Sequence, residues 1–173
     1  MHYKYTDKEI NELLKSLVII QDTREKSAKH ITDYFDSKKI NYVVDKLSTG
    51  DYSCYLPENK ALGIERDTYF DILVERKNSI DEFAGNTKED RFENELIRSQ
   101  SKDFILVIED SYDNLVNGVY RSQYKPQALL GRLKSFESKY GFNTLFMEKR
   151  YMGNFIYHHI YYKVRNILKG GLN

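Results

Sequence analysis

An apolar run, Ile72-Leu73-Val74, passes without a break into three charges, Glu75-Arg76-Lys77. A segment of that kind is a strand buried along its first half that delivers charge at its end. Side chains alternate between the faces of a strand, so Glu75 and Lys77 leave one face and Arg76 the other. A charged strand end needs a sheet around it, and Gly50-Asp51-Tyr52 offers a second carboxylate where another strand opens.

The remaining segments supply such a sheet. Residues 1–16 are polar and form an N-terminal extension, with a short helix predicted around 7–14. Leu17-Val18-Ile19-Ile20 is a buried strand, followed by Asp22-Thr23-Arg24-Glu25 and then a helix through Lys39 with Ala28, Ile31 and Phe35 near one face. Tyr42-Val43-Val44 opens a second strand, Ser48-Thr49-Gly50 is a turn, and 51–56 is a third strand. Together with the strand over 72–77, these read as an antiparallel meander, with 57–70 as a surface excursion.

Ser79-Ile80-Asp81-Glu82 has the form of a capping box, so a helical turn is predicted to start there. A helix follows over 88–99, and 104–108 is a continuous apolar run of the kind that parallel strands show. Residues 111–124 read as a polar loop. Pro126 suits a first helical position, and Leu129, Leu133, Phe136 and Tyr140 keep helical spacing up to Gly141. A strand over 144–147 and a helix over 154–169 complete an α/β sandwich with a mixed central sheet, one domain over 17–173.

Hydrophobic residues make up 40% and charged residues 31% of the 173, which fits a folded globular chain rather than a disordered one. No apolar run reaches membrane-spanning length and no signal-peptide core opens the sequence. The single cysteine, Cys54, excludes an intramolecular disulfide and any multi-cysteine zinc site, so the reducing cytoplasm (a host's, for a viral chain) is the expected compartment. The net charge of +1 conceals an asymmetry. From Arg121 onward ten Lys/Arg face two acids, a net of +8, whereas the first 120 residues carry 17 basic and 24 acidic residues, a net of −7. An acidic part suited to metal joined to a basic part suited to phosphate implies a nucleic-acid substrate.

Phosphodiester hydrolysis calls for barrier lowering in the enzymatic range of about 8–23 kcal/mol. An exposed ion pair, worth about 0–1 kcal/mol, does not approach that. A divalent cation does, and magnesium prefers oxygen ligands. Asp51 and Glu75 are the candidate ligands, with Asp22 at the end of the first strand and a backbone carbonyl near Arg76 as further donors. Lys77 is placed to orient water or to steady developing charge. Arg76, on the other face, is expected to pair internally with Asp81. The set Asp51…Glu75-x-Lys77 is what a metal-dependent nuclease of the PD-(D/E)xK class needs.

Asp22-x-Arg24-Glu25, Gly50-Asp51-Tyr52 and Glu75-Arg76-Lys77-x-x-x-Asp81 together resemble the nuclease domain of the XPF/Hef family of structure-specific endonucleases, over roughly 17–168. The resemblance implies a restriction-endonuclease-like three-layer sandwich and cleavage of branched, flap or junction DNA with Mg2+, for which Mn2+ substitutes. It points to Asp22, Asp51, Glu75, Arg76, Lys77 and Asp81 as site residues, with Arg24 and Glu25 in support. It also implies recombination, replication or repair as the setting and a homodimer through the C-terminal helix. Cellular members carry a tandem helix-hairpin-helix domain or a helicase as well, which this sequence does not show, so a small stand-alone nuclease is expected. The rival readings are a Holliday-junction resolvase or restriction-type nuclease with the same metal core, and a catalytically silent DNA-binding subunit. Retention of every motif residue favours activity.

Tyr120-Arg121-Ser122-Gln123-Tyr124-Lys125 mixes aromatic, basic and hydroxyl groups ahead of a helix, so Arg121, Lys125 and, within that helix, Arg132 are candidate DNA contacts. His158-His159 are adjacent on a helix and diverge by about a quarter-turn, unsuited to one ion. Phe155, Tyr157, Tyr161 and Tyr162 read as a packing surface rather than base-stacking groups.

Overall fold

The computed structural model describes residues 4–170. In chain order the elements are α1 (Asp7–Lys15), β1 (Val18–Asp22), α2 (Lys29–Ser37), β2 (Asn41–Asp45), β3 (Tyr52–Leu56), β4 (Thr68–Tyr69), β5 (Ile72–Lys77) and α3 (Ile80–Asn86). Then come α4 (Asp90–Ser99), β6 (Asp103–Ile108), α5 (Tyr112–Asn117), α6 (Pro126–Tyr140), β7 (Asn143–Phe146) and α7 (Met152–Gly170). The fold is α/β with both parallel and antiparallel strand pairs. The chain divides into two compact units: one of residues up to Leu47, Tyr52–Ile72 and from Gly153 on, the other of Ser48–Asp51 and Leu73–Met152.

In the first unit β1 is central and wholly buried, parallel to β2 and antiparallel to β3, with β4 antiparallel on the far side of β3. This corrects the expected meander, because β2 is not a hairpin partner of β3. The helix α2 lies between β1 and β2 in sequence, and a helical crossover returns the chain parallel to the strand it left. The short helix predicted around 7–14 in the N-terminal segment is present as α1. Thr6 and Glu9 close a reciprocal capping box at the head of α1, which buries Ile10, Leu13 and Leu14. The helix α7 buries one stripe at i, i+4 spacing, Ile156, Ile160, Val164 and Leu168. Gly153, in the first turn of that helix, lies against Tyr34, where a Cβ would come within 2.8 Å of the tyrosine side chain.

In the second unit β5 and β6 are neighbours, and β6 runs parallel to β7. Its core joins Phe83, Phe92, Leu96, Leu106, Leu133 and Phe136 from α3, α4, β6 and α6. Pro126 is the first residue of α6, and Gly141 ends that helix in the left-handed conformation at φ 71°. The expected loop over 111–124 contains a helix after all, α5, capped by the Ser111 hydroxyl and burying only Leu115. One buried position over six residues leaves too little periodicity to be seen in sequence.

Candidate active site

The candidate site is built on the end of β5. All six of its side chains are buried, including three charged ones, and buried charge persists only when paired. The pairing follows the strand's alternation. On one face Lys77 Nζ donates to Glu75 Oε1 at 2.7 Å, both side chains nearly closed to solvent. On the other face Arg76 Nη1 lies 3.0 Å from Glu109 Oε1, both groups again buried. Arg76 therefore does not pair with Asp81, as the sequence suggested. Glu109 follows β6, and its N–H donates to the Lys77 carbonyl at 2.9 Å, which brings its carboxylate beneath Arg76.

Asp51 is joined to the same strand end. Gly50 adopts φ +78°, and a Cβ there would press on Leu73 at 3.3 Å. That left-handed residue turns the chain so that the Asp51 N–H donates to the Val74 carbonyl at 3.0 Å and Asp51 Oδ2 accepts the Arg76 N–H at 2.8 Å. Asp51 is half-buried, while Glu75 and Lys77 are about 95% covered. Burial pulls the Lys77 ammonium toward neutrality. The charge of Glu75, its hydrogen bond, and the charges of Asp51 and Glu82 outweigh that, and hold Lys77 above the ordinary lysine value. Phe92 lies against the ammonium, 4.8 Å from ring centroid to Nζ. Glu82 belongs to the predicted capping box: its N–H donates to Ser79 Oγ at 3.1 Å, and its carboxylate accepts the Asn78 N–H at 2.6 Å.

The other predicted residues divide between the two units. Asp22 accepts four hydrogen bonds, from the Arg24 N–H, Nε and Nη2 and from the Leu47 N–H, at 2.7–3.2 Å. Burial alone would raise its pKa. The Arg24 guanidinium and the two N–H groups prevail and hold the carboxyl below its usual range. Glu25 continues this turn, its N–H donating to the Asp22 carbonyl at 3.0 Å. In the second unit Asp81 accepts the Ser122 N–H at 2.7 Å and the Arg121 Nε at 3.4 Å. Lys125 is exposed. Arg132 is turned back on its own unit, 4.5 Å above the Phe136 ring and 3.4 Å from the Thr87 carbonyl. Glu109 is the residue missed by sequence reasoning, and its only sequence signal is the acidic pair that ends an apolar strand.

Asp51 and Glu75 make an all-oxygen pair beside a retained ammonium. Among the described residues no group of three or more His, Cys, Asp and Glu is placed to hold a metal ion. Two carboxylates fit magnesium, which keeps most of its waters and completes its shell with phosphate.

Among the described residues no helix is long and apolar enough to cross a membrane. No curated protein sequence matches the chain. The structure of XPF from Aeropyrum pernix is similar, with a TM-score of 0.62, 18% identity and 86% of this chain covered. The same protein in complex with DNA gives 0.61, 18% and 86%. The chain spans 65% and 66% of those two chains. The likeness gives the fold, the restriction-endonuclease-like arrangement expected from the sequence. The ERCC4 domain model matches residues 21–158, a stretch that includes β5, Asp51, Glu109 and Asp81, and on that match this chain belongs to the ERCC4 domain family.

Proposed function

We propose that the protein is a metal-dependent DNA endonuclease that cuts branched, flap or junction DNA during recombination, replication or repair. Family membership supports an endonuclease, and the DNA-bound XPF structure with the same fold supports DNA as the substrate. The observation that carries the reading is the buried Glu75–Lys77 pair beside Asp51, a retained cation among carboxylates at a strand end.

Asp51 and Glu75 would hold magnesium or manganese, with a carbonyl near Arg76 as a further donor, whereas the Asp22 oxygens are already taken by four hydrogen bonds from Arg24 and Leu47. Such an ion, when bound, polarises the phosphoryl oxygen and acidifies water. Lys77 keeps its proton and offers N–H donors to the attacking water or the developing phosphoryl charge, already desolvated and therefore strong. Arg76 and Glu109, buried on the reverse face, position Glu75 and Lys77 without touching substrate. We also infer a homodimer through α7, whose Tyr162 and Ile167 remain 55% and 40% exposed beyond the buried stripe. A monomer in sedimentation at micromolar concentration contradicts that part.

The test is incubation with labelled flap, fork, four-way-junction and plain duplex DNA in Mg2+, Mn2+ or EDTA, beside Glu75→Ala. Cleavage of a branched substrate that needs metal and Glu75 is expected. Equal nicking by wild type and variant contradicts the site. Metal-independent binding without any cleavage points to a silent DNA-binding subunit.

A further inference from the structure

Asp81 ends the Glu-Arg-Lys-x-x-x-Asp pattern, yet its carboxylate faces a loop. Oδ1 accepts the Ser122 N–H at 2.7 Å, and Oδ2 contacts the Arg121 guanidinium. The loop is braced at each step. Gly118 adopts φ +70°, and a Cβ there would lie 2.8 Å from Pro126 Cγ, so the turn closes tightly on the head of α6. The Tyr120 hydroxyl donates to the Tyr124 carbonyl at 2.7 Å, and the Tyr124 N–H donates to Ser122 Oγ at 3.2 Å. Tyr120 and Tyr124 pack on the core of the second unit.

With these side chains turned inward, Arg121, Gln123 and Lys125 are left exposed as a row, Arg121 with 93% of its side chain accessible. Lys88 adds a further cation above the Tyr124 ring, at 5.6 Å. An exposed ion pair weighs little, so Arg121 retains donors for another anion despite Asp81. The backbone N–H of Ser122 is the contact that fixes the loop's shape. Arg, Lys, Gln and Ser on a shaped loop are the groups that contact nucleic-acid phosphates without reading sequence.

We propose that the segment Gly118–Lys125 is a phosphate-backbone contact surface, and that Asp81 is its positioning residue rather than a metal ligand. This rests on the nuclease reading and adds which face meets the DNA and why the pattern ends in Asp. Asp81→Asn keeps an acceptor for the Ser122 N–H, whereas Asp81→Ala removes it.

The experiment measures affinity for a labelled duplex against KCl in EDTA, where cleavage does not interfere, together with hydrogen exchange of 119–125. Arg121→Ala and Lys125→Ala are each expected to flatten the slope of log K against log[salt] by about 0.9. Asp81→Ala is expected to speed exchange at Ser122 and weaken binding, and Asp81→Asn to stay close to wild type in both. Unchanged slopes in the Arg121 and Lys125 variants overturn the contact surface. Unchanged exchange in Asp81→Ala overturns the positioning role, as does Asp81→Asn binding like wild type yet losing Mg2+-dependent cleavage. Wild type that binds no duplex overturns the contact surface, while the nuclease reading is decided separately by metal-dependent cleavage of branched DNA and the role of Asp81 by the exchange result.

Discussion

The protein repeats one local device, an acid followed two residues later by a base, with opposite results. In Asp22-x-Arg24 a planar guanidinium meets both oxygens of a buried carboxylate, and the Leu47 N–H adds another donor. The arginine is 45% exposed, and the acid is saturated by its own unit. In Glu75-x-Lys77 the base is a compact ammonium, both side chains are buried, and one short contact joins them. A rigid fork fits a carboxylate and locks it, whereas an ammonium carries rotatable donors that can turn to another anion. The first pair reads as a corner brace, the second as a poised site.

The largest expected effect concerns the reverse face of the second pair. Arg76→Met leaves Glu109 buried without its counter-charge and should cost about 3–5 kcal/mol in urea unfolding. Arg76→Met/Glu109→Met should recover much of that loss, because an apolar pair of similar volume needs no charge compensation. A double variant as unstable as the single one would mean the two residues are not energetically paired.

Next comes the brace. Asp22→Ala strips the partner from the Leu47 N–H and from Arg24, and should cost about 1.5–3 kcal/mol, the range for hydrogen bonds to a charged group. Thermal unfolding measures it, and a loss below 0.5 kcal/mol would remove the contrast between the two pairs.

Smaller still are the pH limbs, which have opposite signs. Asp22 has a lowered pKa when folded, so its contribution is present above the unfolded value of about 3.9 and fades as pH falls through the folded one. Lys77 has a raised pKa, so its contribution is present below about 10.4 and fades as pH rises through the folded value. Asp22→Asn should flatten the acid limb of stability against pH and leave the alkaline limb alone. Lys77→Met should do the reverse.

What the sequence made legible was local. The period of two along β5 separates Glu75 and Lys77 from Arg76, and the ion pairs follow that division. The Ser79–Glu82 box, Pro126 and Gly141 mark helix ends through contacts within a turn or two. The partner of Arg76 was not legible, since Glu109 reaches it only through the pairing of β5 with β6. The order β2-β1-β3 was hidden for a related reason. A run of apolar residues shows that a strand is buried, but not which neighbour buries it, and Tyr42-Val43-Val44 resembles a hairpin strand while lying parallel to β1. The pattern places Asp81 among the site residues, whereas its bonded partner, Ser122, is far along the chain.

The central claim is that Glu75 and Lys77 act as one unit on a phosphodiester. Single-turnover cleavage of branched DNA in Mg2+ by Glu75→Gln, Lys77→Met and the double variant, each checked for a native circular dichroism spectrum, tests it most directly. Each single variant should lose about 10²–10³ in rate, and the double should lose no more than the worse single. A folded Lys77→Met or Glu75→Gln that cuts at the wild-type rate, or losses that simply multiply in the double, would contradict it.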